Sequence, residues 1–218
     1  MADDPDLQSH YTAEHADFVG VARELTDEQW DSRSLCERWT VRDVVIHVAW
    51  HIHRDRSQVP TFLLHTLTSG PTSAAAKAAA SELARQGAQS RDRLLEWLAS
   101  PGTCGRVNLC ELMIHQQDVR RPLGLSRQIP GDRLSSILDY CLTRAGSATV
   151  VPGSHKRSKG LRFVATDTGW SAGHGPEVSG PAEAILMAVN GRSSAIDDLA
   201  GPGAKMLAGR VGTSRRSG

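Results

Sequence analysis

Apolar residues recur at helical spacing through roughly the first two thirds of this 218-residue chain, and glycine- and proline-containing breaks cut the pattern into separate helices. Residues 10–25 form the first expected helix, and the polar stretch 25–39 connects it to the next. Thr40 opens a second helix as its N-cap, with Asp43 at the third helical position in an acidic variant of the capping box, and this helix is expected to reach about residue 57. Residues 60–67 read as a short apolar helix or turn, and the Gly-Pro step within 68–73 is a clear break. The Ala-rich stretch 73–100 then reads as one long third helix, with Leu83, Leu94, Leu95, Trp97 and Leu98 as its buried contacts. Pro101 and Gly102 stop it, and a fourth helix follows over 107–121, limited by Pro122. Four such helices imply a bundle.

The pattern changes beyond a further helix at 131–145. A basic, Gly- and Ser-containing stretch, 150–160, reads as an interdomain connection, 161–170 is strand-like, 171–180 is turn-rich, and 181–191 is a short helix with Pro181 at its start. The expected fold is mainly α: a helical bundle over residues 1–149, a small C-terminal α/β domain over 150–211, and a disordered tail over 212–218.

Charge excludes several functions. The chain carries 25 Lys+Arg against 24 Asp+Glu, so it has no domain-wide basic field for nucleic acid or an anionic membrane surface. Its start is acidic and polar, without the basic and apolar segments of a signal peptide, and no run approaches membrane-spanning length; a cytoplasmic protein is expected. Cys36, Cys104, Cys110 and Cys141 are irregularly spaced, which indicates neither a disulfide framework nor a thiolate zinc site.

Histidines interrupt two of the helices. On a wheel of residues 40–54, Val41, Val44, Val45, Val48 and Ile52 share one face, and Asp43, His47, His51 and Arg54 share the other. On the fourth helix Leu109, Leu112, Met113 and Val119 group together, opposite a stripe of Glu111, His115 and Asp118. Glu111 and His115 are four apart, so one helix aims both at a single point, and His47 is the natural third ligand from a neighbouring helix. Two histidines and one carboxylate leave coordination positions open, as a reactive metal centre requires; zinc is the expected ion, and iron(II), nickel and manganese accept the same set. The same stripes also describe ordinary amphipathic surface helices. His51 lines the mouth of such a site or is solvated, Asp43 serves the helix start, and Asp118 either accepts from His115 or supports the turn before Pro122. His53, His65, His155 and His174 show no partner pattern.

The segments "LCERWTVRDVVIHVAWH" and "ELMIHQQDVRRPLG" resemble the two motif regions of the mycothiol-dependent maleylpyruvate isomerase family, within the DinB-like metalloenzymes, and residues 166–201 resemble that family's small second domain. The resemblance implies a DinB-like four-helix bundle and metal ligands at His47, Glu111 and His115. It also implies zinc, and a low-molecular-weight thiol, mycothiol, as cosubstrate. The family's functional arginine matches Arg192, whose alternative role is a helix-end cation. "CERW" stands where the family usually has Cys-Pro-Gly-Trp, and the stretch between the second and third helices is compact, so a different substrate pocket is expected.

The function expected from these readings is a metal-dependent thiol S-transferase acting on small electrophiles. Maleylpyruvate cis–trans isomerisation and a non-catalytic metal- or ligand-binding role in stress response are the alternatives. The thiol comes from the cosubstrate, so the chain's own cysteines need not react. A monomer or homodimer is expected, with no nucleic-acid or membrane partner.

Overall fold

The computed structural model describes residues 5–36, 39–53, 89–143 and 153–214. They fall into two compact units, Met1–Leu125 and Ser126–Gly218.

The first unit contains α1 (Pro5–Glu24), α2 (Asp27–Asp31), α3 (Val41–His53), α4 (Arg91–Ala99) and α5 (Arg106–Arg120). α1 and α3 each pack against both α4 and α5. The four long helices therefore close a ring in the order α1, α4, α3, α5 around one core, the expected bundle. Val41, Val44, Val45, Val48 and Ile52 of α3 are fully buried in that core, facing Leu94 and Leu98 of α4 and Leu109, Leu112 and Met113 of α5.

Local chemistry explains where α3 begins. Thr40 N and Oγ1 both donate to Asp43 Oδ2 at 2.9 Å, and Asp43 N donates back to Thr40 Oγ1 at 3.2 Å. This reciprocal cap satisfies donors that the first helical turn leaves open.

Three expectations for this unit change. The polar connection after α1 contains α2, whose cap pairs Thr26 with Gln29 in both directions and whose Trp30 is buried with its indole N–H donating to Ala22 O at 3.0 Å. The single helix expected over 73–100 does not hold among the described residues: Ser90 adopts an extended backbone and accepts from Arg93 N, so α4 starts at Arg91 with its own cap. Leu94 and Leu98 are buried as expected and Leu95 and Trp97 are only half-buried, while Leu83 and the 60–67 segment lie outside the described residues. Finally, α5 is not an amphipathic surface helix. Every side chain from Leu109 to Val119 is buried, because both α1 and α3 pack on it and the loop before α3 covers its last turn, with Leu35 N donating to Asp118 O at 3.0 Å.

The second unit contains α6 (Gly131–Leu142), α7 (Ser154–Ser158), β1 (Arg162–Ala165), β2 (Ser171–Gly173), β3 (Glu177–Gly180), α8 (Ala182–Val189), a 3-10 turn (Ser193–Asp198) and α9 (Pro202–Ser214). The sheet has the order β2-β1-β3. β1 pairs antiparallel with β2 and parallel with β3, with Phe163 opposite Val178 on the buried face. α8 is the core of this unit: all its residues except Glu183 are buried, and α6, α7, α9, the 3-10 turn and the sheet pack around it.

The unit boundary therefore falls between Leu125 and Ser126 rather than near residue 150. The reason is packing: α6 buries Leu134, Ile137, Leu138 and Cys141, and its neighbour is α8. The expected tail also starts too early, since Gly212 to Ser214 complete α9. No helix among the described residues is long and apolar enough to cross a membrane.

Thr40→Ala removes the hydroxyl half of the α3 cap. It is expected to destabilise the protein by about 1 kcal/mol in urea unfolding; an unchanged midpoint would show that the cap does not hold α3.

Candidate metal centre

One turn of α3 and two turns of α5 supply the site. His47 projects from the middle of α3, and Glu111 and His115 lie one helical turn apart on α5. Glu111 Oε2 stands 3.3 Å from His47 Nε2 and 3.1 Å from His115 Nε2, and all three atoms lie within 4.8 Å of one another. The two imidazoles meet edge to face with ring centroids 4.8 Å apart. The sequence-expected trio is therefore brought together.

The neighbours decide which atoms face inward. Asp118 Oδ2 accepts from His115 Nδ1 at 2.9 Å, which turns His115 Nε2 toward Glu111. Asp118 itself is fully buried. Of the two roles the sequence left open for Asp118, the structure shows the histidine acceptor. His47 Nδ1 is buried without a hydrogen-bond partner, so the working nitrogen of that ring is Nε2.

The electrostatics follow from burial and charge together. Burial alone would raise the Glu111 carboxyl, but the charge on His51 and hydrogen bonds from His115 and His47 hold it well below the usual carboxylate range. Burial pushes His47 down to about 4, against the opposing pull of Glu111. Burial also disfavours charge on His115, yet hydrogen bonds to Asp118, Cys36 and Glu111 hold it well above the ordinary histidine value. The surroundings of Glu111 Oε2 thus favour a positive charge facing it, and they favour the protonated form of His115.

The donor set fits a divalent ion. Ligand atoms about 2.1 Å from a tetrahedral ion stand about 3.4 Å apart, close to the 3.1 and 3.3 Å separations here. Two imidazoles and one carboxylate form a borderline-soft set with room for a further ligand.

Other residues join the site. Trp39 lies at its edge, tilted against both imidazoles, with its ring 4.8 Å from that of His47 and 6.3 Å from that of His115. Cys36 Sγ donates to Asp118 Oδ2 at 3.2 Å. His51 is half-buried, 5.9 Å from the His47 ring, and its Nδ1 donates to Asn108 Oδ1 at 3.0 Å, so it is held in place rather than solvated. Trp39, Cys36 and Asn108 had no signal in helical spacing: two lie in an irregular loop, and the third adopts its role only once α3 and α5 are side by side.

Asp43, His53 and His155 make other contacts within their own units. Asp43 caps α3. His53 donates to Ala49 O at 2.6 Å and contacts Ser100, while His155 binds Leu142 O at 2.8 Å. His174 is exposed, and His65 lies outside the described residues. Arg192 belongs to the second unit, where its Nη1 donates to Asn190 O at 2.9 Å just past the end of α8. Its neighbour Arg157 is buried and donates to Val189 O at 2.7 Å; burial and the charge of Arg192 push it down to about 10. The four cysteines are free thiols, with Cys110 and Cys141 buried.

A four-helix bundle with a buried His/Glu/His donor set, followed in sequence by a small α/β unit, defines the class of this protein. Residues 11–99 match the model of the mycothiol maleylpyruvate isomerase N-terminal domain, and residues 128–210 match that of the corresponding C-terminal domain. The chain belongs to the mycothiol-dependent maleylpyruvate isomerase family. Neither match reaches residues 100–127, so the convergence of Glu111 and His115 on His47 rests on geometry.

The fold is similar to a crystal structure of a histidine-to-alanine mutant of the mycothiol-dependent maleylpyruvate isomerase. The identity is 14%, the TM-score 0.52, and the alignment covers 91% of this chain and 92% of the other. A second structure of that isomerase aligns with a TM-score of 0.43 at 13% identity, over 91% of this chain and 92% of that one. No curated protein matches the sequence.

A histidine in the unfolded chain takes up a proton near 6.5, but folded His47 does so only near 4. Between these values the unfolded state binds the extra proton, so this group's contribution to stability falls as pH drops through the window. In metal-free His47→Gln that contribution is absent, and stability is expected to decline less steeply between pH 6.5 and 4 than in the wild type. Parallel pH profiles in urea unfolding would contradict the buried, neutral His47.

Proposed function

We propose that this chain is a thiol-dependent cis–trans isomerase of the maleylpyruvate type, with His47, Glu111 and His115 holding a divalent metal, zinc first among the candidates. The observation that carries the reading is the convergence of two imidazole nitrogens on one buried carboxylate oxygen. When bound, a divalent metal at this point lowers the pKa of a thiol, which near ~8.5 is otherwise mostly protonated at neutral pH.

The chain's own residues prepare that chemistry. Asp118 holds the His115 Nδ1 proton and burial keeps His47 neutral through the physiological range, so an incoming metal would meet His47 as a neutral imidazole and would displace the proton from His115 Nε2. Trp39 packs beside both rings and keeps water from one side of the site. The cosubstrate thiolate, mycothiol in this reading, adds to one carbon of the substrate's cis double bond. Rotation about the resulting single bond and expulsion of the same thiolate restore the double bond in the trans form and regenerate the thiol.

Thiol S-transfer, the function first expected from the motifs, shares the addition step and ends before expulsion. The family's description as an isomerase favours expulsion. Arg192 takes the role of a substrate-anion contact in this proposal, by its match to the family's arginine; a guanidinium pairs a carboxylate through two parallel hydrogen bonds.

Two measurements test the reading. With zinc and mycothiol, wild-type protein is expected to convert maleylpyruvate to its trans isomer, and His115→Ala to lose more than ~100-fold in kcat/KM, beyond the 10–100-fold typical of an outer partner. Accumulation of a stable thiol adduct would support the transferase, and metal and thiol binding without product would support a binding protein. Arg192→Lys keeps the charge but loses the planar fork, so KM for the anionic substrate is expected to rise about tenfold with metal content unchanged; an unaltered KM would remove Arg192 from the substrate site.

A further inference from the structure

The loop before α3 touches the donor set from behind. Leu35 N donates to Asp118 O, and Ser34 Oγ both accepts from Cys36 N at 3.1 Å and donates to Trp39 O at 2.9 Å. These bonds fix Cys36 over the last turn of α5. There its Sγ lies 3.2 Å from Asp118 Oδ2, the same oxygen that accepts from His115 Nδ1 at 2.9 Å, and 3.9 Å from that nitrogen.

We propose that Cys36 is a positioning residue of the metal centre: its thiol donates to Asp118 Oδ2 and, through that carboxylate, fixes the direction of His115. The proposal rests on the metal-site reading given above. A carboxylate with no exposure depends on donors around it to stay charged. The thiol and His115 Nδ1 both bond the same oxygen, Asp118 Oδ2.

The alternative for this cluster is a second metal site, because Cys36, His115 and Asp118 also offer atoms within 4.8 Å of one another. The hydrogen-bonded arrangement is the better account. Asp118 already takes a proton-mediated contact from each of the other two, and a metal on His115 Nδ1 would have to displace the proton that turns Nε2 toward Glu111.

The consequence reaches beyond one histidine. Ser34 bonds both Cys36 and Trp39, Cys36 lies against the α5 ligand set, Trp39 lies against His47, and Thr40 starts the helix that bears His47.

Wild type, Cys36→Ser and Cys36→Ala are compared. Zn²⁺ affinity is read by chelator competition, the His115 Nδ1–H hydrogen bond to Asp118 by imidazole NMR on metal-free protein, and folding by thermal unfolding of the same samples. Serine retains an O–H donor, so it is expected to bind Zn²⁺ within a few-fold of wild type and to keep the Nδ1–H bond. Alanine is expected to weaken Zn²⁺ binding ~10–100-fold and to weaken the Nδ1–H bond while unfolding cooperatively. Wild-type affinity and an unchanged Nδ1–H bond in Cys36→Ala would overturn the proposal, as would equal losses in Ser and Ala. A wild type that binds no Zn²⁺ would sink the metal reading instead, while a weakened Nδ1–H bond confined to alanine would still uphold the thiol's hold on His115.

Discussion

A carboxylate buried in the middle of a helical bundle is the constraint around which this structure is arranged. Glu111 sits on α5, whose side chains are enclosed from Leu109 to Val119. An ion removed from water must be paired or it neutralises. Here the pairing comes from two imidazoles, one on the same helix and one across the bundle on α3. The position of α3 relative to α5 is thereby tied to polar chemistry as well as to the packing of Val44, Val45 and Val48.

The same demand organises a second layer. Asp118 is as deeply enclosed as the apolar residues around it, and it orients His115 while accepting from Cys36. A polar network inside a bundle is stabilising only when its members are satisfied. Cys36 and Trp39 are in turn held in place by backbone and serine hydrogen bonds.

The second unit obeys a different logic. Its centre is α8, an almost wholly apolar helix enclosed by the other elements, and two arginines gather at its C-terminal end. Arg157 and Arg192 donate to the carbonyls of Val189 and Asn190, where the helix dipole favours positive charge. Asp167 Oδ1 accepts from Ala182 N at the other end. Helix-end chemistry thus accounts for the observed bonds of Arg192, and a role in binding substrate is an addition to them.

Much of this was legible in the residues themselves, for local reasons. The α3 cap at Thr40 and Asp43, the apolar faces of α3 and α4 and the alignment of Glu111 with His115 follow from helical periodicity and side-chain chemistry within a few positions. The break at Ser90 and the short α2 also carry local cap signals, but the Ala-rich composition and the polar surroundings mask them. What periodicity leaves undecided is which polar stripe faces inward. Glu111, His115 and Asp118 have the spacing of a solvated face, and they are buried because two helices and a loop close over them. The approach of His47 to Glu111, the reach of Cys36 to Asp118 and the pairing of α6 with α8 join residues far apart in the chain. Sequence by itself determined which side chains share a helix face; tertiary packing alone decided which faces meet, because contact across helices depends on how the whole core excludes water.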